Sequence, residues 1–132
     1  MGCDIHLHIE VKIDGKWEHY GCPDIHRNYL LFGVLAGVRN EEVIPVSYPK
    51  GLPNDITKIT KMHYYENWKH DAHSHSWLNR GEIIQLNNAF QLDELGDNLE
   101  RDILKTHLFG NGFADELPKG IEDVRFVFWF DN

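Results

Sequence analysis

The sequence predicts an α+β fold: a small antiparallel sheet built from an N-terminal hairpin and a C-terminal strand, with three to four helices on one face. Two observations predict the sheet. Residues 4–13 alternate polar and apolar side chains with the period of a strand, and residues 124–130 are β-branched and aromatic. Helical spacing of apolar residues between these segments predicts the helices. At 132 residues, we expect a single domain spanning 1–132.

The N-terminal segment is typical of a β-hairpin. Residues 3–13 form the first predicted strand, and Asp14-Gly15 is a tight-turn signal. Lys16 to Tyr20 therefore returns as the second strand, so that 3–21 forms the hairpin. Gly21-Cys22-Pro23 then breaks the extended pattern because it contains both glycine and proline.

The middle of the chain predicts two helices joined by a long loop. The first helix runs from Asn28 to Val38, with Asn28 as its N-cap. Residues 39–53 contain three prolines and form a loop with a short extended piece from Val43 to Val46. A second helix begins at Asn54 or Asp55 and ends at about Trp68. Its apolar residues are spaced to share one face: Ile56, Ile59, Met62 and Tyr65.

The last third of the chain predicts one loop, two helices and the closing strand. Residues 69–76 are polar and rich in histidine, so we expect a loop. Asn79-Arg80-Gly81-Glu82 has the form of a capping box, and a helix through about Phe90 follows. A further helix is predicted from Leu92 to Phe109. Val124 to Phe130 is a central strand, because both of its faces are apolar.

Composition and charge exclude several classes of function. The formal net charge of −8 argues against direct binding to nucleic acid or to an anionic membrane, because both require clustered Lys and Arg. Two cysteines are too few for a secreted disulfide scaffold, and no apolar run approaches the ~20 residues that span a bilayer. We therefore expect a cytoplasmic protein in a reducing compartment. The sequence does not predict its oligomeric state.

The first predicted strand carries a row of potential metal ligands. Asp4, His6, His8 and Glu10 share one face. Alternate strand residues lie about 6.6 Å apart, so two imidazoles can converge on one ion. Imidazole with carboxylate suits divalent Zn, Mn, Ni or Fe. The alternative is a solvent-exposed polar face.

A second histidine cluster, in residues 70–75, strengthens the metal hypothesis. We predict that His73 and His75 join His6 and His8 around one ion. Carboxylates then serve as catalytic groups that orient the ligands or act as general base on bound water: Asp4, Glu10 and Asp71. Two alternatives remain, namely a metal-free polar pocket and a purely structural role for the histidines as caps or backbone braces.

The two cysteines form a weaker candidate site. Cys3 precedes His6 in a pattern that Cys22 repeats before His26. The hairpin brings its two open ends together, so Cys3 and Cys22 with one of these histidines would make a structural zinc site. Two such cysteines are more often small buried hydrophobic residues.

Five blocks spread along the chain share a recognisable pattern. They are Met1-Gly2-Cys3-Asp4-Ile5-His6, residues 27–32 followed by Val38-Arg39-Asn40, Lys50-Gly51-Leu52-Pro53, residues 73–78 and residues 128–132. Together these blocks resemble a family of small tailed-phage and prophage proteins. The chain departs from the family pattern at Lys50, where the family has Arg, and at Ala72, where it has Gly. The resemblance implies a phage origin and action inside the bacterial cell, and it carries over no catalytic residues.

Two functional hypotheses follow from these observations. The first is a metal-dependent hydrolase or lyase that acts on a small phosphorylated or nucleotide-like substrate, with the metal held by the histidine clusters. The second is a binding protein without catalysis, which sequesters a small ligand or inhibits a host protein through its acidic surface. The sequence does not decide whether the protein is an enzyme.

Overall fold

The computed structural model describes residues 2–89 and 117–132, and within them it confirms the α+β fold. The strands form one antiparallel sheet of order β2-β1-β4-β3. The predicted helix from Leu92 to Phe109 lies outside the described residues. In chain order the elements are β1 (Asp4–Ile13), β2 (Lys16–Gly21), α1 (Tyr29–Ala36), α2 (Lys58–His63), a π-helical turn (Tyr64–Trp68), β3 (Ala72–Leu78), α3 (Arg80–Ala89) and β4 (Asp123–Asp131).

The predicted hairpin forms as expected. Asp14 and Gly15 both adopt positive φ angles, 49° and 78°, which the tight connection between β1 and β2 requires. Beyond the turn the register is regular as far as the pair Glu10–His19. The next pair is Ile9–Gly21, so Tyr20 is an extra residue that forms a β-bulge in β2.

The C-terminal strand is central, as its apolar pattern predicts. β4 pairs with β1 on one side and with β3 on the other. Alternate aromatic residues, including Phe126 and Phe128, point into the main core, and Trp129 points to the opposite face; all three are fully buried. Both faces of the sheet are therefore covered.

The main core lies between the sheet and helices α1 and α3. Leu31, Phe32 and Leu35 of α1 pack with the apolar face of β1, and Ile83 of α3 joins the same cluster. Asn28 caps α1, because its side-chain oxygen accepts a hydrogen bond from the Leu31 amide at 3.1 Å. The capping box at the start of α3 also forms between Asn79 and Glu82.

Helix α2 and the π-helical turn lie against the opposite face of the sheet. The sequence had predicted all helices on one face, so this part of the prediction is corrected. The face beneath them carries histidines and Glu10, so the helix turns Thr60 toward it. The apolar residues predicted to share one face point outward instead: Ile59 and Met62 of α2 are 58% and 45% exposed, and Tyr65 of the π-helical turn is 51% exposed.

The predicted loop over 69–76 is wrong in its second half, because Ala72–Leu78 is strand β3. Its polar sequence gives little local preference for a strand. The segment is extended because it pairs with β4, and its position at the sheet edge tolerates polar side chains. A register shift between His73 and Ser76 contains Ser74, whose φ angle is 54°.

Candidate metal centre

Covering both faces of the sheet buries part of the polar row on β1. His8 is 2% exposed and Glu10 is fully buried, because α2 and the π-helical turn cover them. The row is therefore an interior layer between sheet and helix. Each buried polar group in such a layer requires a partner.

Both carboxylate oxygens of Glu10, a predicted catalytic residue, accept hydrogen bonds from buried structural partners. One carboxylate oxygen accepts hydrogen bonds from the Thr57 amide at 3.0 Å, the Thr57 hydroxyl at 2.5 Å and the Thr60 hydroxyl at 2.9 Å. The other accepts a hydrogen bond from Arg125 at 2.7 Å. This network fixes the start of α2 above the sheet, so Glu10 has no remaining role as a base that we can assign.

The other two predicted catalytic carboxylates lie at the surface. Asp4 forms a half-exposed ion pair with Arg27 at 2.9 Å, and this contact lowers the pKa of Asp4. Asp71 is exposed in the turn that precedes β3. Neither residue belongs to the group of potential ligands described next.

Within the described residues, three potential ligands converge: His8, Cys22 and His63. Their ligand atoms all lie within 4.8 Å of one another. Nε2 of His8 is 2.7 Å from Nδ1 of His63 and 3.8 Å from Sγ of Cys22. The three residues come from β1, from the segment after β2 and from the end of α2, so the fold assembles the group.

The β-bulge at Tyr20 explains why Cys22 reaches His8. In an uninterrupted register, Gly21 would lie opposite His8, and Cys22 would point toward the main core. The extra residue shifts the register by one. Cys22 is thereby directed to the face that carries His8.

The distances fit a small transition metal after a modest adjustment. Tetrahedral zinc, with bonds of about 2.0–2.1 Å to nitrogen and 2.3 Å to sulfur, places its nitrogen ligands about 3.3 Å apart and sulfur about 3.6 Å from nitrogen. The observed contact of 3.8 Å between Cys22 and His8 is close to this value. The contact of 2.7 Å between His8 and His63 must lengthen by roughly 0.6 Å to admit the ion.

The electrostatics of the group favour neutral imidazoles. Burial, together with a smaller effect of the neighbouring His63 and His19, lowers the pKa of His8 to about 3. Burial also lowers the pKa of His63. By contrast, partial burial and the nearby Asp24 raise the pKa of the Cys22 thiol. The histidines are thus ready to bind a cation, whereas Cys22 must lose a proton to it.

Aromatic and imidazole side chains pack around the ligand group, and Trp129 stacks on His8 with ring centroids 5.4 Å apart. Nε2 of His19 lies 2.9 Å from Nδ1 of His8, on the side of the ring away from His63. The indole N–H of Trp68 donates to Nε2 of His63 at 3.1 Å. His6, a predicted ligand, stacks on Trp68 with ring centroids 4.0 Å apart and donates to Asp131 at 3.0 Å. His6 therefore lies beside the group and outside it.

The predicted ligands on β3 lie apart from the group as well. His73 contacts the C-terminal Asn132 at 3.1 Å and stacks against Phe130, whereas His75 packs against Tyr64. The register shift in β3 separates these two histidines from each other. Of the four metal ligands predicted from sequence, only His8 belongs to the converging group.

Two members of the site were missed from the sequence. His63 stands on the second predicted helix and His19 on the second predicted strand, each without a second histidine at ligand spacing. The available signal was the hairpin register, which places His19 near His8 across the strand pair. Cys22 was considered as a zinc ligand, although with Cys3, which is instead fully buried.

No family model, curated protein or solved structure matches the chain. The function proposed for this protein therefore depends on the geometry of the site. None of the helices within residues 2–89 and 117–132 has the length and apolar character to cross a membrane.

Proposed function

We propose that this protein binds a zinc-class transition metal through His8, Cys22 and His63, with a fourth coordination position open to solvent or substrate. The observation that carries the proposal is the convergence of three ligand atoms from three separate segments within 4.8 Å. Catalytic zinc sites have three protein ligands and an open fourth position, whereas structural zinc sites have four protein ligands. Two imidazoles and one thiolate match the catalytic number.

The ligand set narrows the metals expected from sequence. A thiolate is a soft ligand and favours Zn over Mn, while Fe and Ni are compatible with the imidazoles. His19 supports the assignment because its contact with Nδ1 of His8 is of the kind that orients a ligating imidazole. We therefore name Zn as the metal to test first.

An open position on such a metal supports hydrolysis. Zinc in a three-ligand site lowers the pKa of bound water and polarises an electrophilic oxygen. The dyad of His6 and Asp131 lies next to His63, with the rings of His6 and His63 centred 6.0 Å apart, and it is a candidate for accepting a proton. A small phosphorylated or nucleotide-like substrate remains our proposal for this activity, as does phage origin with action in the host cytoplasm.

The first experiment is elemental analysis of protein prepared without a histidine tag, followed by cobalt titration. We expect one metal per chain and, with cobalt, a sulfur-to-metal charge-transfer band. Cys22→Ser should abolish that band and His63→Ala should weaken binding at least tenfold. Cys3→Ser and His70→Ala are matched controls, because both residues lie outside the ligand group, and they should bind cobalt normally. Binding that survives Cys22→Ser with an unchanged spectrum would refute the assignment.

A second candidate function, binding of a small ligand without catalysis, is favoured by a separate cleft of about 680 Å³. Trp17 and Trp77 both line it, the guanidinium of Arg125 lies 4.1 Å from the Trp17 ring centre, and the ammonium of Lys50 lies 3.9 Å from that of Trp77. The aromatic walls suit the planar base of a small ligand, whereas both cations are already ion-paired, Lys50 with Glu82 and Arg125 with Glu10 and Asp55.

Adenosine monophosphate is a suitable probe for this cleft. We expect it to raise the melting temperature of the protein, and Trp77→Ala to remove that rise. The same result with and without zinc would show that the cleft and the metal centre act independently. No change in the melting temperature up to millimolar probe would eliminate nucleotide binding here. Inhibition of a host protein stays a prediction from the acidic charge.

A further inference from the structure

Four rings around the candidate metal centre form one continuous hydrogen-bonded chain. Trp68 contacts Nε2 of His63, Nδ1 of His63 contacts Nε2 of His8, and Nδ1 of His8 contacts Nε2 of His19. The three distances are 3.1, 2.7 and 2.9 Å. An indole N–H can only donate, so the direction of the first bond is fixed.

The fixed direction at Trp68 determines the tautomer of each histidine in turn. Because Nε2 of His63 accepts from Trp68, a neutral His63 carries its proton on Nδ1 and donates to His8. His8 then accepts at Nε2, carries its own proton on Nδ1 and donates to His19. Every ring nitrogen inside the chain is satisfied by this single orientation.

Metal binding conflicts with this arrangement at one residue only. His8 offers the lone pair of Nε2 and keeps its proton on Nδ1, so its bond to His19 is retained. His63 must instead free Nδ1, which moves its proton to Nε2. That proton then faces the indole N–H of Trp68 across 3.1 Å, and two donors cannot share this contact.

We propose that Trp68 regulates occupancy of the metal centre: its indole N–H holds His63 in the tautomer that cannot bind the ion, and binding releases Trp68 from His63. The inference rests on the proposed metal-binding function and adds its regulation. Trp68 ends the π-helical turn, an uncommon local geometry that is often found at functional sites, and it stacks on His6 at 4.0 Å. Release of its N–H therefore alters a structured surface beside the open coordination position.

The test is nuclear magnetic resonance of the histidine tautomers, using the unmodified chain with and without zinc. Without metal, we expect His63 and His8 to carry their protons on Nδ1. With zinc, His63 should carry its proton on Nε2, His8 should keep Nδ1–H, and the indole resonance of Trp68 should move to a weaker hydrogen bond. An unchanged tautomer of His63 in zinc-bound protein would overturn the inference and leave metal binding intact.

A matched pair of variants measures the strength of the competition. Trp68→Phe keeps an aromatic ring on His6 and removes the donor, so zinc should bind about 3- to 10-fold more tightly. Tyr48→Phe, at an exposed loop position outside both candidate sites, should leave the affinity unchanged. Equal or weaker affinity in Trp68→Phe, with the fold intact by amide spectra, counts against regulation by Trp68. Failure of zinc to bind any of these proteins would remove both proposals.

Discussion

Mild acid should destabilise this protein because its histidine cluster is buried in the neutral form. Unfolded His8 takes up a proton below its ordinary pKa of about 6.5. In the folded protein, burial lowers that pKa to about 3. Between these values the unfolded chain binds more protons than the folded one, so the free energy of unfolding must fall as the pH falls.

The size of the loss follows from the two pKa values of His8. A histidine that stays neutral in the folded protein but titrates in the unfolded chain lowers the free energy of unfolding by RT ln(1 + 10^(pKa − pH)), where pKa is the unfolded value. Between pH 7.5 and pH 5 this loss grows by about 2 kcal/mol. Any folded pKa below about 4 gives the same figure. Burial lowers the pKa values of His19, His63 and His75 in the same direction, so the total loss exceeds that from His8 alone.

Urea denaturation in the presence of a chelator, at pH 7.5 and pH 5, measures this loss. His8→Gln removes the titrating group, so the acid loss in this variant should be smaller by about 2 kcal/mol. His70→Ala, which removes an exposed histidine, should behave like the parent chain. Ordinary carboxyl groups titrate below this window and contribute little to it.

Equal stability at the two pH values would refute the reasoning, because it would mean that His8 is protonated or solvated in the folded protein. If His8→Gln loses as much stability between pH 7.5 and pH 5 as the parent chain does, other groups cause the acid sensitivity and the assignment to His8 is refuted. Either outcome would also weaken the tautomer chain, which requires a neutral His8 between two hydrogen-bonded neighbours.

Three further predictions concern the free energy of unfolding, each measured by denaturant titration at pH 7.5. Glu10→Ala should cost about 3–5 kcal/mol because it leaves the buried Arg125 guanidinium short of a partner, whereas Asp4→Ala at the surface should cost at most about 1 kcal/mol. Phe32→Ala should cost about 3–5 kcal/mol through a cavity in the main core, and a loss below 1 kcal/mol would contradict its packing. Gly37→Ala should cost about 1 kcal/mol, since position 37 adopts a φ of 71° at the end of α1.

The elements with strong local signals were predictable from sequence. The hairpin turn at Asp14-Gly15, the cap at Asn28 and the apolar strand of β4 each depend on residues close in sequence, and all three form. Strand β3 was not predictable in the same way. Its sequence of alternating histidine and serine has little strand preference, and only its pairing with β4 makes it a strand.

The candidate site was predictable only in part, for a related reason. The alternation on β1 correctly placed His6 and His8 on one face, and the abundance of histidine correctly indicated a cluster. The remaining ligands depend on a one-residue bulge at Tyr20 and on the packing of α2 against the far face of the sheet. Both are tertiary features, so the sequence predicted His73 and His75 as partners of His8 and did not predict the convergence of Cys22 and His63.

The three residues proposed as metal ligands differ in their access to solvent, and this has a consequence for handling the protein. His8 is buried, His63 is half-buried and Cys22 is exposed. Cys22 is therefore the one of the three that peroxide can reach, although its raised pKa keeps it mostly as the slower-reacting thiol. Once oxidised to a sulfenate, it no longer offers the thiolate that the proposed site requires. Under the proposed metal-binding function, metal content should therefore depend on the redox history of the sample, and protein purified in air should bind less zinc than protein kept reduced.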